Sequence, residues 1–468
     1  MTYLEQKTAL LNNFYENYYY PLMKRGGPLE VEFIVSPKCN LACKYCYVNK
    51  FYHKTYPDEI YNPTIVRQNI MKVLKAYTKK GLAPDIEIFS GEFFSQQIGY
   101  DVLDDIYNYY KDLPLELRPS TMCIPTNCTF ICSEELTQKV GEIIQRYWSI
   151  DIMLYLSASV EGLYLEENRP HTHNIDIDLD VVRDQAYYDR LCEFCNQYGF
   201  GYHPMVAAQG IEKWIQNFDW WQEQFKKHGI EWDSIYLLEV RDGADAWTPQ
   251  QIAEYQKFLR HIFYFAYNKF ENKKEFLGWM LGVYREDSDN VYVRRIPPTR
   301  PSWDEGFNIL MSPFTSNSNG IGCNIQQHTA IRCADLAIYP CHRLMYEPHL
   351  LGKYKIDDEY NITIEPEHVE LAVTLPLMDQ SLFAKCSECP INQLCGHGCL
   401  GSQYETTKDL LTPCPNICNL NYAKIATLID CLKEVNLYTE MLGAIDNQLA
   451  KQTIAFENYR RNLNHDKS

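Results

Sequence analysis

Three cysteines crowd into eight residues of this chain. Cys39, Cys43 and Cys46 lie in KCNLACKYCYVN, a Cys-x3-Cys-x2-Cys run with a tyrosine just before the third thiol. Iron–sulfur clusters are held by cysteine thiolates, and a full set is four. Three thiolates on one short loop hold three corners of a cubic 4Fe–4S cluster and leave the fourth iron open to a substrate or cofactor. The preceding Val31–Ser36 (VEFIVS) predicts a strand, so the loop leaves a strand's C-terminal end, where α/β barrels build active sites.

Bulk composition narrows the class. The chain has 468 residues, enough for two or three domains, and an apolar fraction of 46% with 36 Tyr, 20 Phe and 8 Trp fits a globular protein. Its net charge of −17, from 44 basic against 61 acidic residues, argues against a nucleic-acid binder, which would show a basic patch. The 18 cysteines could suggest a secreted disulfide framework. Against that, the N-terminus MTYLEQKTALLNNFYENYYY has no signal-peptide pattern, no apolar run is long enough to span a bilayer, and the cysteines cluster in metal-ligand spacings. The expectation is a cytoplasmic, oxygen-sensitive protein.

From Val31 onward, β-rich runs alternate with amphipathic helices, which predicts a parallel α/β fold. The expected strands are 31–36, 85–90, 120–126, 152–160, 201–207 and 234–240, six βα units in all. Asn62-Pro63 and Thr248-Pro249-Gln250-Gln251 both carry helix start signals. The expected organisation is an N-terminal helical segment (1–30), the α/β region (31–240), a helix and charged connector (241–319), a cysteine-rich region (320–420) and a C-terminal helix and tail (421–468).

The cysteine loop resembles that of the radical S-adenosylmethionine (SAM) superfamily, and further strand ends extend the likeness. Ser90-Gly91-Glu92 stands where the family has Gly-Gly-Glu, Thr126-Asn127-Cys128-Thr129 is close to Thr-Asn-Gly-Thr, and Ser157 to Gly162 is close to Ser-Ile-Asp-Gly. The resemblance implies a partial (β/α)6 TIM-like barrel. It also implies that the open iron chelates SAM and that one electron releases a 5′-deoxyadenosyl radical. Ser90, Gly91 and Glu92 would meet the SAM amino group, Ser159 and Arg169 its carboxylate or ribose, and Tyr45 its adenine, with Asn127 at the same cofactor site. Cys192 and Cys195, on an expected helix, are assigned to packing.

Farther on, CSECPINQLCGHGC spaces Cys386, Cys389, Cys395 and Cys399, with Cys323, Cys333 and Cys341 upstream and Cys414 and Cys418 downstream. This array resembles the SPASM domain of radical SAM enzymes that modify peptides and proteins, including its hairpin ADLAIYPCH, in which Leu336 replaces a turn glycine. The resemblance implies two auxiliary 4Fe–4S clusters. The first would take Cys323, Cys341 and Cys399, with Cys333 a candidate fourth ligand. The second would take Cys386, Cys389, Cys395 and one of Cys418 or Cys414. The competing use of such thiols is structural zinc, which also favours four cysteines.

The implied reaction is radical modification of a ribosomally made precursor peptide, with Cys sulfur-to-carbon thioether formation expected. The stretch from Gly199 to Trp221 resembles maturases of Cys-x-x-x-repeat peptides. His342 follows Cys341 where sulfatase activators carry an aspartate base, so His342 is the candidate catalytic base and the formylglycine-forming sulfatase activator is the alternative enzyme. A zinc-stabilised binding protein is the alternative from another class. The 38 residues before the cluster loop are too few for a separate leader-binding domain. The expected partners are therefore the precursor peptide, an electron donor such as flavodoxin or ferredoxin, and a separate leader-recognition protein or direct leader binding.

Overall fold

The computed structural model describes residues 2–48, 50, 60–172, 176–177, 179–240, 246–281, 283–285, 292–294, 307–315, 325, 328–378, 382–395 and 398–465. Cys323 and most of the expected connector lie outside them. The chain divides into two compact units, Met1–Phe200 with Asn324–Met378 and Gly201–Cys323 with Asp379–Ser468.

The first unit is built on one eight-stranded sheet. Strands β1 (Glu30–Ser36), β2 (Asp85–Ser90), β3 (Thr121–Thr126) and β4 (Met153–Ala158) run parallel in chain order. The helices α2 (Pro63–Lys79), α3 (Gln97–Tyr110) and α4 (Glu134–Trp148) connect them, after an N-terminal α1 (Tyr3–Phe14). The start of α2 is local chemistry: the Asn62 side chain accepts from the Thr64 and Ile65 N–H groups, and Pro63 gives up no needed donor. One face of α2 buries Val66, Ile70, Val73, Leu74 and Tyr77, the period expected of a helix on a sheet.

Two further strands of the sequence reading, 201–207 and 234–240, are short. They contribute β5 (Met205–Val206) and β6 (Leu238–Glu239), a parallel pair in the second unit. A small antiparallel pair follows there, β7 (Val283–Arg285) with β8 (Tyr292–Arg294).

The chain then returns to the first sheet. β9 (His328–Arg332) lies parallel to β1 on the side away from β2, and β10 (Ala337–Tyr339), β11 (Gly352–Ile356) and β12 (Ile362–Pro366) continue it antiparallel. The β9–β10 hairpin turns through Leu336 at φ 59°, the left-handed region that ordinarily asks for glycine. At the sheet edge, Asn12 of α1 donates to the Ile364 carbonyl and accepts from its N–H, both at 2.9 Å. The Asn12 amide thereby takes up the Ile364 edge groups that another strand would otherwise meet.

The second unit is mainly helical. It holds α6 (Trp214–His228), α7 (Pro249–Lys269), α8 (Pro415–Glu434) and α9 (Asn447–His465); α5 (Gln185–Tyr198) belongs to the first unit. Thr248 and Gln251 form the expected capping box at α7. Ile425, Leu428, Ile429 and Leu432 of α8 are all buried. Cys192 and Cys195 are buried on α5, as packing requires. Among the described residues, no helix is long and apolar enough to cross a membrane.

Candidate active site and cluster-binding cysteines

The cluster loop leaves β1 at a register irregularity between Ile34 and Ser36 and lies across the end of β2. Gly91 N–H donates to the Ser36 carbonyl and Glu92 N–H to that of Lys38, each at 2.8 Å. The approach is so close that a Cβ on Gly91 would stand 2.3 Å from both the Pro37 and Lys38 carbonyl oxygens. Glycine is therefore obligatory here. Ser90, which replaces the family's first glycine, is absorbed: its hydroxyl donates to the Ser36 carbonyl at 2.8 Å and accepts from Gln96.

On its other side the loop is laced to residues 168–172. Ala42 N–H donates to the Pro170 carbonyl, Lys44 N–H to that of Asn168, and Thr172 N–H to that of Asn40. This strip carries Arg169, which is 3% exposed and donates to the Ser159 carbonyl. Arg169 interacts electrostatically with Tyr45, Cys43 and Glu161. Burial pushes the Glu161 carboxyl up to about 7 against the opposing pull of Arg169 and the Tyr45 hydroxyl.

Glu92 is buried and tied down. Its carboxylate accepts from Phe94 N–H at 3.1 Å, Thr126 Oγ1 at 2.8 Å and Asn127 N–H at 2.6 Å. Burial still raises its pKa against those donors. The Asn127 side chain donates to Asn40 Oδ1 at 2.8 Å and approaches Cys39 Sγ at 3.9 Å. Cys128 sits at φ 59°, where the family motif has glycine. Tyr45, Ser90, Gly91, Glu92, Asn127, Ser159 and Arg169 thus gather around the three-cysteine loop.

The thiols suit a cluster. Burial pushes Cys39 well up, and Cys43, Glu92 and Cys46 add to the rise. Among the described residues, no group of three or more His, Cys, Asp or Glu side chains is drawn together to metal-holding geometry. The donor set and the fixed loop nevertheless fit a three-thiolate cluster.

His342 stands close by. Its ring stacks on Phe89 at 4.6 Å and 6°, and Tyr47, just after Cys46, lies 6.0 Å away. Buried Glu32 on β1 accepts the His342 N–H at 2.6 Å and faces its Nδ1 at 3.2 Å. His342 and, behind it, His328 hold the Glu32 carboxyl below its usual range despite burial. Across the sheet Glu32 pairs with Glu87. Burial, then Glu32, pushes Glu87 up to about 7; burial, then Glu87 and Glu32, pushes Glu30 up to about 9. This acidic face was not singled out from the sequence. Its signal is the alternation of Glu30 with Glu32 and Asp85 with Glu87 inside otherwise apolar strands.

Cys333 is buried in the same sheet; its Sγ lies 3.5 Å from the Ile331 carbonyl, and burial and Asp335 raise its pKa. Cys341 is also in this unit, at the turn before His342. Cys399 belongs to the second unit.

In the second unit Cys386, Cys389, Cys395, Cys414 and Cys418 lie within electrostatic reach of one another. Cys386 is pushed up to about 11 by burial, then by Cys395 and Cys389. Cys418 is pushed up to about 12 by burial, then by Cys395, Cys386, Cys389 and Cys414. Cys414 is fully buried at the start of α8, its Sγ 3.6 Å from Thr406 Oγ1, whereas Cys418 is exposed. By donor chemistry Cys386, Cys389 and Cys395 with Cys418 or Cys414 suit a four-thiolate centre, and among the described residues these thiols are not drawn to metal-holding distance.

No family model matches the chain. A curated relative, the radical SAM cyclopropyl synthase TigE of Paramaledivibacter caminithermalis, is 25% identical over 171 residues, covering 34% of this chain and 33% of the relative. The chain thus spans about a third of the length of that relative. Among solved structures, native anSMEcpe with bound AdoMet aligns with a TM-score of 0.51 at 16% identity, covering 88% of this chain and 99% of that one. Streptococcus suis SuiB bound to S-adenosylmethionine aligns with a TM-score of 0.46 at 13% identity, covering 86% and 79%. The anSMEcpe likeness shows the fold, a TIM-like α/β barrel.

Proposed function

We propose that the chain is a radical SAM/SPASM-type enzyme that modifies a ribosomally made precursor peptide, joining cysteine sulfur to carbon. The observation that carries the reading is the nesting of the Cys39–Cys46 loop on Gly91 and Glu92 with Arg169 beside it. Cys39, Cys43 and Cys46 would hold the SAM-binding cluster, which supplies the 5′-deoxyadenosyl radical that removes a substrate hydrogen. The chain's own side chains bind and orient. A carboxylate offers about four acceptor positions, and that of Glu92 accepts from the Phe94 and Asn127 N–H groups and the Thr126 hydroxyl, which would leave one for the SAM ammonium. Arg169 brings a buried positive charge suited to a carboxylate, and Tyr45 an aromatic face for the adenine.

In thioether formation an S–H and a C–H bond break and an S–C bond forms. One hydrogen leaves with 5′-deoxyadenosine; the other leaves as a proton, its electron passing to an acceptor. His342, oriented by Glu32 and Phe89, would take the thiol proton. Cys386, Cys389 and Cys395, with Cys418 or Cys414 as the fourth ligand, would hold one auxiliary cluster. A flavodoxin- or ferredoxin-like donor would supply the initiating electron.

The test is anaerobic incubation of the reconstituted chain with dithionite, SAM and a cysteine-containing precursor peptide. The expected outcome is 5′-deoxyadenosine release and a peptide that loses two hydrogens and one alkylatable thiol per event. A cyclopropane-forming reaction would lose the hydrogens and keep the thiol. A sulfatase activator would act instead on a sulfatase peptide. A Cys46→Ala chain that still cleaves SAM, or wild-type chain holding zinc without Fe–S absorbance, refutes the reading.

A further inference from the structure

Asn421 lies three residues after Cys418 on α8, a spacing that places both on one helix face. Its side chain is 4% exposed, and its Nδ2 donates to Cys395 Sγ at 3.1 Å. A neutral thiol is a weak acceptor, so a buried amide aimed at sulfur gains little from it. A metal-bound thiolate is a charged acceptor and makes the bond strong. The donor is also held in place. The α8 helix is pinned by Lys424 against Glu239 of β6 at 2.8 Å, with Tyr255 of α7 on the same carboxylate at 2.6 Å. Gln256 of α7 reaches Thr427 at 3.1 Å, and Asn416 accepts from Trp247 N–H at 3.0 Å. A helix pinned from three neighbours cannot swing its amide away from the sulfur.

We propose that Asn421 is a positioning residue for the centre held by Cys386, Cys389, Cys395 and Cys418, and that its amide sets how readily that centre is reduced. This rests on the reading that the four thiolates hold an iron–sulfur cluster. Adding an electron makes the sulfurs more negative, so a donated N–H stabilises the reduced state and raises the potential. The electron comes from the reductant of the titration, and no bond forms or breaks in the protein.

The experiment is an anaerobic redox titration followed by electron paramagnetic resonance on the full chain. Cys39, Cys43 and Cys46 are replaced by alanine so that only auxiliary signals remain. Asn421→Leu removes the donor while keeping the branched heavy-atom shape, and Asn421→Ala removes it with less bulk. The expected result is unchanged iron content and one auxiliary signal shifted to lower potential in both variants. A wild-type potential in either variant that keeps its iron overturns the proposal. Loss of the cluster in both also overturns it, because the residue would then serve assembly alone. Zinc in place of iron before any Asn421 change instead refutes the reading on which the proposal rests.

Discussion

The tightest approach in the candidate site is that of Gly91 to the stem of the cluster loop, and it yields a quantitative prediction for Gly91→Ala. The added methyl would meet two backbone oxygens, those of Pro37 and Lys38, at 2.3 Å. Ordinary carbon–oxygen contacts begin near ~3.3 Å, so the loop must retreat by about 1 Å. Neither obstacle is a side chain that can rotate aside, and both precede Cys39 directly. A misplacement of about 1 Å in a reacting assembly can cost about a hundredfold in rate, and overpacking costs about 1–3 kcal/mol in stability. The assay is 5′-deoxyadenosine release from the reconstituted chain under dithionite, with iron content and thermal melting measured in parallel. Gly443→Ala is the matched control, since a Cβ there meets nothing within 4 Å. We expect Gly91→Ala to lose about two orders of magnitude in SAM cleavage while still folding, and Gly443→Ala to behave as wild type. A wild-type rate in Gly91→Ala would refute the claim that this glycine seats the loop.

Two further outcomes are expected. Cys418→Ser should lower iron by about four atoms per chain, whereas Cys414→Ser, already buried against Thr406, should not; equal iron in the two variants would mean the second auxiliary centre takes its fourth ligand elsewhere. Glu87→Gln should raise the melting temperature at pH 8 and leave it unchanged near pH 4.5. The folded Glu87 carboxyl is pushed up to about 7 from 4.5, so its contribution is full below 4.5 and is lost as pH rises through 7. Its half-buried position limits the gain to about 1–2 kcal/mol, and an identical melting difference at both pH values would contradict the assignment.

The parts of this fold that were legible in the sequence are those fixed by local chemistry. Strand β2 coincides with DIEIFS, and the helices after Asn62 and Thr248 begin where their caps predict. Strands five and six were harder. Pro204 has no N–H to donate, and ladder pairing is confined to Met205–Val206 against Leu238–Glu239 with one added bridge at Tyr202. The departures from the family's glycines proved conformationally silent. Cys128 and Leu336 both hold φ 59°, so each keeps the glycine-like backbone at a cost of about 1 kcal/mol.

What was not legible was the second half of the site, and the reason is topological. Nothing local says that His328–Arg332, nearly three hundred residues downstream, pairs in parallel with β1. Closing so long a loop is decided by tertiary packing, not by propensity. Yet the acidic residues of β1 make sense only with that pairing. A buried carboxylate needs a partner, and Glu32 finds His342 and His328 on the segment that β9 and its hairpin bring alongside. The strand that launches the cluster loop and the turn that carries Cys341 are therefore joined through one carboxylate. A carboxylate on β1 thereby orients His342, so the candidate base takes its position from the same strand that positions the three-cysteine loop.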